Sequence, residues 1–485
     1  MTRFVWGRAG LLSGMACIAA MQAPCARADT LREALVLAYQ TNPTLQAARA
    51  QQRGVDENVP IAKASGLPSV STSGRYTEFV KQSATSFTAP ERLVNAGADL
   101  SVPIYSGGAV KNQIKAAKIR VEAGQADLRG TESSVFSSVV AAYMDVIRNE
   151  AIVGLNRNQV DVLKVNLQAT SDRFEIGDVT RTDVAQSQSR LALAQSDARA
   201  AEANLAAARE TYIQLIGKAP EALEAPPPLP NLPNTAQEAV DQALENNPDL
   251  IAARERTKAA EKDIDVAGAG RLPQVSLFSS GSYNNYLGTL GGIGTESVPQ
   301  TDTSAQAGAS ISIPLFQGGL PAARRRQAQA SASSALENEI GIERQVIAQV
   351  RSAYTSWVAS NDLIRSTQVA VDAAKLSLEG VRAENTVGNR TILDILNAEQ
   401  ELLNAEVQFV TAKRNAYVAG FSLLAAMGRA EARDLNLDGG ILYDPELNYE
   451  RVRGKVFDWD DDPAPVAQST RTVDTPLQDG EIPQN

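Results

Sequence analysis

The chain has no histidine, and its only two cysteines, Cys17 and Cys25, stand near the start of its 485 residues. From Asp29 onward, this excludes catalytic triads built on histidine, cysteine nucleophiles and the usual zinc ligand sets. The sequence also lacks a G-x-x-x-x-G-K-[ST] phosphate loop. Carboxylate catalysis stays open in principle, since Asp and Glu total 56, but no pair of them is grouped at a strand end. We therefore predict a protein that is not an enzyme and holds no cofactor or metal ion.

Aromatic residues make up only 5% of the chain, and its formal net charge is -10. Scarce aromatic residues combined with abundant Ala, Gln, Asn, Val and Leu favour long packed helices over a compact enzyme core. The net negative charge and the absence of a row of basic residues argue against nucleic acid as a partner. After residue 28, no apolar run reaches the roughly 18 residues of a membrane-spanning helix.

The N-terminus has the pattern of an export signal. Two arginines precede a stretch of apolar and small residues, 9–21, and Ala-Arg-Ala follows, ending at Ala28. This pattern predicts a signal peptide over residues 1–28 with cleavage between Ala28 and Asp29, so the mature protein would contain no thiol and no disulfide. Lipidation of Cys17 is the alternative, although the residue three positions before it is glycine rather than a large aliphatic one.

The rest of the chain repeats itself once. The segment T-L-R-E-A-L-V-L-A-Y-Q-T-N-P-T-L-Q-A-A-R at 30–49 returns as T-A-Q-E-A-V-D-Q-A-L-E-N-N-P-D-L-I-A-A-R at 235–254, an offset of 205 positions. Later landmarks repeat at an offset of 211, namely Pro103 with Pro314, Tyr143 with Tyr354, Gly177 with Gly388 and Asp183 with Asp394. So long a period indicates two copies of one large unit rather than a solenoid. The six added residues fall between Ser276 and Ile311 and predict an exposed loop that tolerates insertion.

We expect five segments along the chain. They are the signal peptide 1–28, a first structural repeat 29–220, a proline-rich linker 221–234, a second structural repeat 235–430 and an acidic, partly disordered C-terminal tail 431–485. The tail carries four aspartates around Trp459, and this composition predicts a poorly ordered end. A calcium site there is the alternative to a solvated acidic run.

Long helices are the plainest structural prediction. No proline occurs within 104–219 or within 322–444. In the first stretch, residues spaced alternately by four and three form a heptad seam: Val135, Val139, Ala142, Val146, Asn149, Val153, Asn156, Val160, Leu163, Leu167, Thr170 and Phe174. Such a seam predicts a helix that supercoils against a neighbour, and a continuous helix over 111–176 would be about 100 Å long. Gly177 and Gly388 mark the predicted tips of two antiparallel helical hairpins.

The segments before the long helices alternate with a period of two. Apolar side chains alternate with polar or small ones over 305–315, and 98–104 shows the same pattern in the first copy. With their upstream partners, these segments predict β-hairpins over about 67–106 and 272–317. Alternating strands of this length with aromatic residues at their ends suit a tilted membrane strand. A surface hairpin of a soluble protein would alternate similarly, but two equivalent hairpins favour a membrane.

Four strands cannot close a sheet on themselves. In lipid, an open edge would leave backbone groups unpaired at a large cost in free energy, so other copies of the chain must pair with both edges. These patterns do not fix the number of copies. Three chains would supply twelve strands.

Four motifs recur in a fixed order across residues 29–429. They are the duplicated E-A-x-x-x-A-x-x-x-N-P-x-L-x-A-A-R, two V/I-P-x-x-x-G-G junctions, I-G-D-V-T-R-T-D-V-A from Ile176 and V-G-N-R-T-I-L-D-I-L-N-A from Val387. Together they resemble the TolC family of outer-membrane efflux and secretion channels. The resemblance implies a mainly α-helical homotrimer with a transmembrane β part. Four strands per chain would complete a 12-stranded barrel in the outer-membrane lipid, and long antiparallel coiled-coil helices would continue it as a tunnel across the periplasm.

The resemblance implies a passive exit duct of a tripartite export system in a Gram-negative outer membrane. An inner-membrane ABC or RND pump would drive transport through a periplasmic adaptor protein. The cargo would be a protein of type I secretion, a multidrug substrate, or both, and the unlipidated N-terminus and extended tail favour the secretion-type branch. Two alternatives stay open: a structural periplasmic coiled-coil or adaptor protein without a membrane pore, and a pore without a pump partner.

The resemblance also implies a gate at the closed periplasmic end, formed by polar links and a ring of acidic side chains. By motif, Asp394 supplies the ring and Arg390 supplies the linking cation. Their partners on the first hairpin would be Thr182 and Asp183, and the link from Asp183 to Arg390 would hold the gate closed.

Two positions of this gate depart from the family pattern. Asn397 occupies a second acidic position one helical turn beyond Asp394, so the ring would carry one charge per chain rather than two. Asn385 stands three residues before the tip glycine, where tyrosine is often found, and this change would weaken or rearrange one hydrogen bond. Apart from the resemblance, these residues fit a solvated hairpin tip with ordinary charges.

Overall fold

The computed structural model describes residues 29–81, 89–291, 298–437 and 442–482. The predicted signal peptide, with Cys17, Cys25 and Ala28, lies outside the described residues, and so do parts of both β-hairpin loops. The helices are α1 (Leu31–Thr41), α2 (Pro43–Asp56), α3 (Asn58–Ala64), α4 (Ala109–Glu175), α5 (Arg181–Ile216), α6 (Ala236–Asn246), α7 (Pro248–Gly268), α8 (Leu320–Thr386), α9 (Ile392–Ala426) and α10 (Pro445–Val452). The strands are β1 (Ser69–Glu78), β2 (Arg92–Ser106), β3 (Gln274–Asn285) and β4 (Thr301–Ser312).

Each half of the chain has the same order of elements: short helices, a β-hairpin, one very long helix and a return helix. The long helices α4 and α8 each contain 67 residues, and the return helices α5 and α9 contain 36 and 35. A glycine pair joins each hairpin to its long helix, and these four glycines have φ angles between 59° and 86°. Because only glycine adopts this conformation without strain, the turn from strand into helix depends on Gly107-Gly108 and Gly318-Gly319.

Helix α4 buries the heptad seam that its sequence predicts. Its 67 residues span about 100 Å, and it packs against α5, α7 and α9. The seam positions from Val135 to Leu163 are buried, as is Thr170, whereas Leu167 is half-buried and Phe174 is exposed. The packing therefore loosens toward the tip. None of the helices in the described part of the chain combines the length and the apolar character that crossing a membrane requires.

Strands β1 to β4 form one antiparallel sheet in chain order. The pairing of β2 with β3 joins the two halves of the chain, while β1 and β4 each pair on one side only among the described residues. In the first hairpin the ladder closes at Glu78 with Arg92. The ladder of the second hairpin extends two residue pairs beyond the position equivalent to Glu78 and Arg92, and it closes at Asn285 with Thr301. Part of the six-residue insertion therefore lengthens the second hairpin, and the rest falls in its connection, where 292–297 lie outside the described residues.

The largest core lies where the two halves meet. Fully buried side chains from both copies fill it, among them Phe136, Tyr143, Leu205, Phe421 and Leu424. The Tyr143 hydroxyl donates to the carbonyl oxygen of Glu224 at 2.7 Å and lies 2.9 Å from that of Asp29. Burial raises the pKa of Tyr143 well above its usual range, so the hydroxyl keeps its proton. The linker between the repeats is thereby fastened to α4.

The C-terminal tail makes defined contacts over residues 442–482. Arg209, whose side chain is only 8% exposed, donates to the carbonyl oxygens of Asp479 and Glu481, both at 2.9 Å. Arg451 donates to both carboxylate oxygens of Asp462, at 2.6 and 2.7 Å. From 453 to 482 the described tail forms neither helix nor strand, and its partly disordered character stays a prediction. Arg209, far from the tail in sequence, holds its backbone, while Arg451, within the tail, neutralises part of the acidic run.

Gly428 provides a test of the turn that follows α9. Its φ is +72°, and a Cβ atom there would lie 2.3 Å from the carbonyl oxygen of Asn246. We predict that Gly428→Ala lowers the free energy of unfolding by about 1–3 kcal/mol or more, because strain and a backbone contact act together. Thermal unfolding followed by circular dichroism measures this effect.

The matched control for this prediction is Gly54→Ala. Gly54 lies inside α2, and nothing stands within 4 Å of a Cβ placed there. Alanine also favours helix over glycine, so the control should leave the melting temperature unchanged or raise it slightly. Equal melting temperatures for the two variants would contradict the role given to Gly428.

Candidate functional site at the helical tips

Both helical hairpins turn at a glycine of the same conformation. Gly177 and Gly388 each have a φ of +81°, and nothing lies within 4 Å of a Cβ added at either position. The requirement for glycine is therefore conformational rather than steric. In each turn, the residue after the glycine donates its backbone N–H to a carbonyl five residues earlier: Asp178 to Arg173 at 2.9 Å, and Asn389 to Glu384 at 3.0 Å. These bonds end α4 and α8 in the manner of a Schellman motif.

A salt bridge spans each turn, with opposite polarity in the two copies. In the first tip, Arg173 at the helix end pairs with Asp178 at 2.7 Å. In the second, Glu384 at the corresponding position pairs with Arg390, also at 2.7 Å. The hydrogen bond to Glu384 is the main cause of a raised pKa of Arg390, which stays a cation. Both pairs are about half-exposed, so solvent screens them, and they shape each turn rather than join the two hairpins.

The two predicted gate aspartates form identical helix caps. In α5, the backbone N–H and the hydroxyl of Thr180 donate to Asp183 at 2.8 and 2.7 Å. In α9, the same groups of Thr391 donate to Asp394 at 2.9 and 2.8 Å. These capping boxes satisfy backbone groups at the helix starts.

The caps also lower the pKa of both aspartates. The Thr180 side chain chiefly lowers the pKa of Asp183, and the backbone N–H of Thr391 chiefly lowers that of Asp394. Both carboxylates therefore stay charged at neutral pH, and the caps weaken only as the pH falls through these lowered values. In the described part of the chain, no group of three or more acidic, histidine or cysteine side chains is placed to hold a metal ion.

The structure does not bring the expected gate pair together within one chain. Among the described residues, no hydrogen bond or ion pair joins Asp183 to Arg390. Arg390 is held instead by Glu384, and Asn385 donates its side-chain amide to the Arg390 carbonyl at 2.7 Å. Asn385 therefore closes its own turn. Thr182 lies exposed in the first turn of α5.

Polar links between the two hairpins lie further from the tips. Arg190 of α5 donates to the Asn397 side chain of α9 at 2.7 Å, so this gate position contacts the other hairpin. A second link joins α4 to α9. Asn166 donates to both carboxylate oxygens of Glu399, at 2.8 and 2.9 Å. Arg382 of α8 donates to the same carboxylate at 3.0 Å.

Sequence reasoning missed Glu399 and its partners. One signal was present, because Glu399 lies at helical spacing between Leu396 and Leu403 on the apolar stripe of α9, and all three are buried. A charged residue on such a stripe requires a partner. The partners Asn166 and Arg382 carry no comparable signal, since both are ordinary polar residues on other helices.

Comparison with known proteins gives a consistent result. The family model described as outer membrane efflux protein matches residues 34–218 and 239–429, one range in each half of the chain. The chain is 31% identical over 433 residues to the outer membrane efflux protein BepC of Brucella suis biovar 1 (strain 1330), covering 89% of this chain and 92% of the relative. It is 27% identical over 468 residues to the outer membrane protein TolC of Escherichia coli (strain K12), covering 92% and 93%.

A solved structure agrees with this result at the level of the fold. The Campylobacter jejuni CmeC outer membrane channel superposes with a TM-score of 0.73, at 18% sequence identity, over 87% of this chain and 89% of that one. At so low an identity, the likeness concerns the fold alone. It confirms the mainly helical fold with four antiparallel strands, and the two family matches confirm the duplication.

The caps predict how the tips respond to substitution. We expect Thr180→Ala to speed amide hydrogen exchange in the first turn of α5 by roughly 2- to 30-fold, the range for losing a threonine N-cap. Mass spectrometry of peptides from the tip measures this rate. Ser189→Ala, an exposed position further along α5, is the control and should leave the exchange unchanged. Unchanged exchange in Thr180→Ala itself would show that the capping box does not hold the turn.

Proposed function

The chain belongs to the outer membrane efflux protein family, the TolC family that its motifs resemble, and on that premise we propose how it assembles and how its entrance is held closed. Members of this family are outer-membrane channels of tripartite systems for efflux or secretion, and this protein is such a channel, reaching into the periplasm. It is a transporter and not an enzyme. The match across both halves of the chain is the single observation that carries this conclusion, and it leaves no room for a periplasmic protein without a pore.

Three chains close the sheet into one twelve-stranded ring. Within one chain, β1 and β4 each have one unpaired edge among the described residues, and every position of β4 is exposed. Unpaired backbone groups are not tolerated in lipid, so the edge of β4 pairs with β1 of the next chain. Family membership implies a trimeric channel, which agrees with this pairing.

Transport through the duct is driven from outside it. The sequence has no phosphate-binding loop, so an inner-membrane ABC or RND pump supplies the energy through a periplasmic adaptor protein. Helices α4 and α8, each about 100 Å long, extend far enough from the sheet to offer the adaptor a helical surface. Type I protein secretion and multidrug efflux use the same kind of conduit, and the cargo follows from the pump.

The entrance is held closed by contacts between neighbouring chains as well as within each chain. Asp183 and Arg390 lie at the two tips of one chain, and each has a local partner there. In the trimer, the second tip of one chain lies beside the first tip of the next, and this arrangement brings Arg390 to Asp183 of its neighbour. Asp394, with its lowered pKa, supplies one negative charge per chain to the ring at the entrance. Because exposed pairs are individually weak, closure depends on several of them, and an adaptor can open it.

Conductance in planar lipid bilayers tests both the channel and its gate. The purified protein should insert as a conducting species with a small closed-state conductance. We predict that replacing Asp183 or Arg390 by Ala raises that conductance, because the link between neighbouring tips is lost. Glu175→Ala, an exposed acidic position at the same tip, is the control and should behave as the unaltered protein.

Two different results would count against this account. Closed-state conductance that is unchanged in both Asp183→Ala and Arg390→Ala would remove the gate assignment but leave the channel intact. A protein that never conducts, although it is folded and located in the outer membrane, would contradict the channel itself.

A further inference from the structure

The C-terminal tail forms a small loop just after α10 that exposes two large aromatic side chains. Lys455 pairs with Asp460 at 3.1 Å, and the backbone N–H of Asp460 donates to the carbonyl oxygen of Phe457 at 3.2 Å. These contacts close residues 455–460 into a turn. Within it, the Phe457 side chain is 72% exposed and that of Trp459 is 83% exposed. We call residues 455–460 the aromatic loop.

Ionic contacts hold the base of the aromatic loop against the end of α10. Arg451 donates to both carboxylate oxygens of Asp462, and the ammonium group of Lys455 lies 3.5 Å from the same carboxylate. The hydrogen bond from Arg451 is the main cause of a pKa of Asp462 lowered to about 2, so the pair stays charged at neutral pH. The loop therefore projects beyond α10 as a closed unit.

The exposed side chains of the loop form one patch. Val456 is as exposed as Phe457, so three large apolar side chains stand outward within four residues. Single exposed apolar residues are common on protein surfaces, whereas a contiguous group of them marks a surface that binds a partner. The patch thus requires an occupant.

Helix α10 runs along α4 toward the sheet. Its Tyr449 packs against the buried cluster that contains Ala117 and Val121 of α4. These two residues lie about 12 and 18 Å along α4 from its first residue, Ala109, which follows strand β2 closely. Four residues further along the tail, the carbonyl oxygen of Arg453 accepts a hydrogen bond from Lys63 of α3.

The end of α3 lies where the helical body meets the strands. A Cβ atom on Gly66 would lie 2.8 Å from a methyl carbon of Val110, the second residue of α4. Lys63 is six residues before Ser69, where β1 begins. The contact of Lys63 with Arg453 therefore places the C-terminal end of α10 beside the strand ends, and the aromatic loop follows directly.

After the aromatic loop, the tail turns away from the sheet. Its residues Asp479 and Glu481 are bound by Arg209 of α5, which also pairs with Glu150 of α4. Glu150 lies about 60 Å along α4 from Ala109. The aromatic loop is thus the described part of the tail that comes nearest to the strands.

The chemistry of the loop suits the surface of a phospholipid membrane. Tryptophan and other aromatic residues concentrate at the boundary between membrane and water, because part of the ring is apolar and part can bind water or headgroups. Residues 451–462 hold three basic and four acidic side chains, so neither strong attraction nor strong repulsion of headgroups is expected. Asp458 stands between the two aromatic residues, whereas the centre of a protein interface is usually depleted of charge.

We propose that the aromatic loop, held in place by Arg451 and Asp462, binds phospholipid by placing Phe457 and Trp459 among the headgroups of the leaflet that faces the periplasm. This inference rests on the proposed function, in which the sheet spans the membrane. It assigns a membrane contact to the C-terminal tail, in addition to that of the strands.

Tryptophan fluorescence of the full chain tests this contact. Trp357→Phe leaves Trp459 as the single tryptophan of residues 29–485. In nanodiscs of phosphatidylcholine, lipids with a nitroxide near the headgroup should quench most of its emission, and acrylamide in the water should quench little of it. Since the loop region is nearly neutral, the quenching should not change with salt.

Two other reporter positions, introduced in the Trp357→Phe, Trp459→Phe chain, are the controls. Val473→Trp puts the reporter at an equally exposed position of the tail beyond its turn away from the sheet, and lipid should not quench it. Ile311→Trp puts it on the apolar face of β4, where lipids with a nitroxide in the acyl chain should quench it if the sheet spans the membrane.

A second pair of variants tests the base of the loop. Arg451→Gln removes the cation that binds Asp462, so the loop should open and the quenching of Trp459 by lipid should fall. Arg453→Gln is the matched control, because Arg453 pairs only with Glu450 one helical turn earlier among the described residues. Unchanged quenching in Arg451→Gln would contradict the role given to this ion pair.

The reporters separate failure of this inference from failure of the proposed function. Strong quenching of Trp459 by lipid, with none for Val473→Trp, supports the proposal. Quenching of Ile311→Trp without quenching of Trp459 overturns the proposal and leaves the channel intact. Protection of Trp459 from both lipid and acrylamide also overturns it, because a neighbouring chain would then cover the loop. Absence of lipid quenching at Ile311→Trp as well would contradict the membrane-spanning sheet itself.

Discussion

The pairing of strand edges is the constraint on which the rest of the structure depends. One chain supplies a four-stranded sheet whose outer strands, β1 and β4, each have an unpaired edge among the described residues. Lipid offers no hydrogen bonds to such an edge. Other copies must therefore supply the missing pairing, and the long helices that follow β2 and β4 are brought around the same axis. The number of chains that close the sheet thus sets how many helical hairpins surround the entrance.

Duplication provides a ring of similar units, and divergence between the copies gives them different tasks. Both copies keep the positive-φ glycines, the 67-residue helix and the capping box at the start of the return helix. They differ in chemistry near the tips. The salt bridge across the turn is reversed in sign, and only the second copy contributes the buried carboxylate Glu399. Shared backbone features maintain the architecture, while the side-chain differences set which helices are joined.

Much of the fold follows from local sequence signals. The heptad seam of α4, the proline-free stretches and the alternating segments predict the helices and strands, because each depends on residues near one another in the chain. The two repeat offsets also anticipate the equal registers of the hairpins. Contacts between distant segments could not be predicted in this way. Arg209 binds the tail across 270 positions, and composition does not reveal such a partner.

In the candidate site, too, local features could be predicted from the sequence whereas side-chain contacts could not. Motif spacing locates the tips and their aspartates. It does not reveal that Asp183 and Asp394 accept hydrogen bonds within the capping boxes of their own helices. Nor does it reveal that Arg390 binds Glu384 within its own tip. Which partner each of these side chains binds depends on side-chain geometry after the turn has formed. Glu399 was the one position that pattern could have found, since a charge on an apolar stripe is unusual.

The most direct test of the central claim is the number of chains in the assembly. Native mass spectrometry of the protein extracted from outer membranes in mild detergent measures it. If the outer strands pair between chains in the trimeric channel that family membership implies, the mass should correspond to three copies, with no population of inserted single chains. A membrane-inserted monomer, or an assembly of two or four copies, would contradict the account.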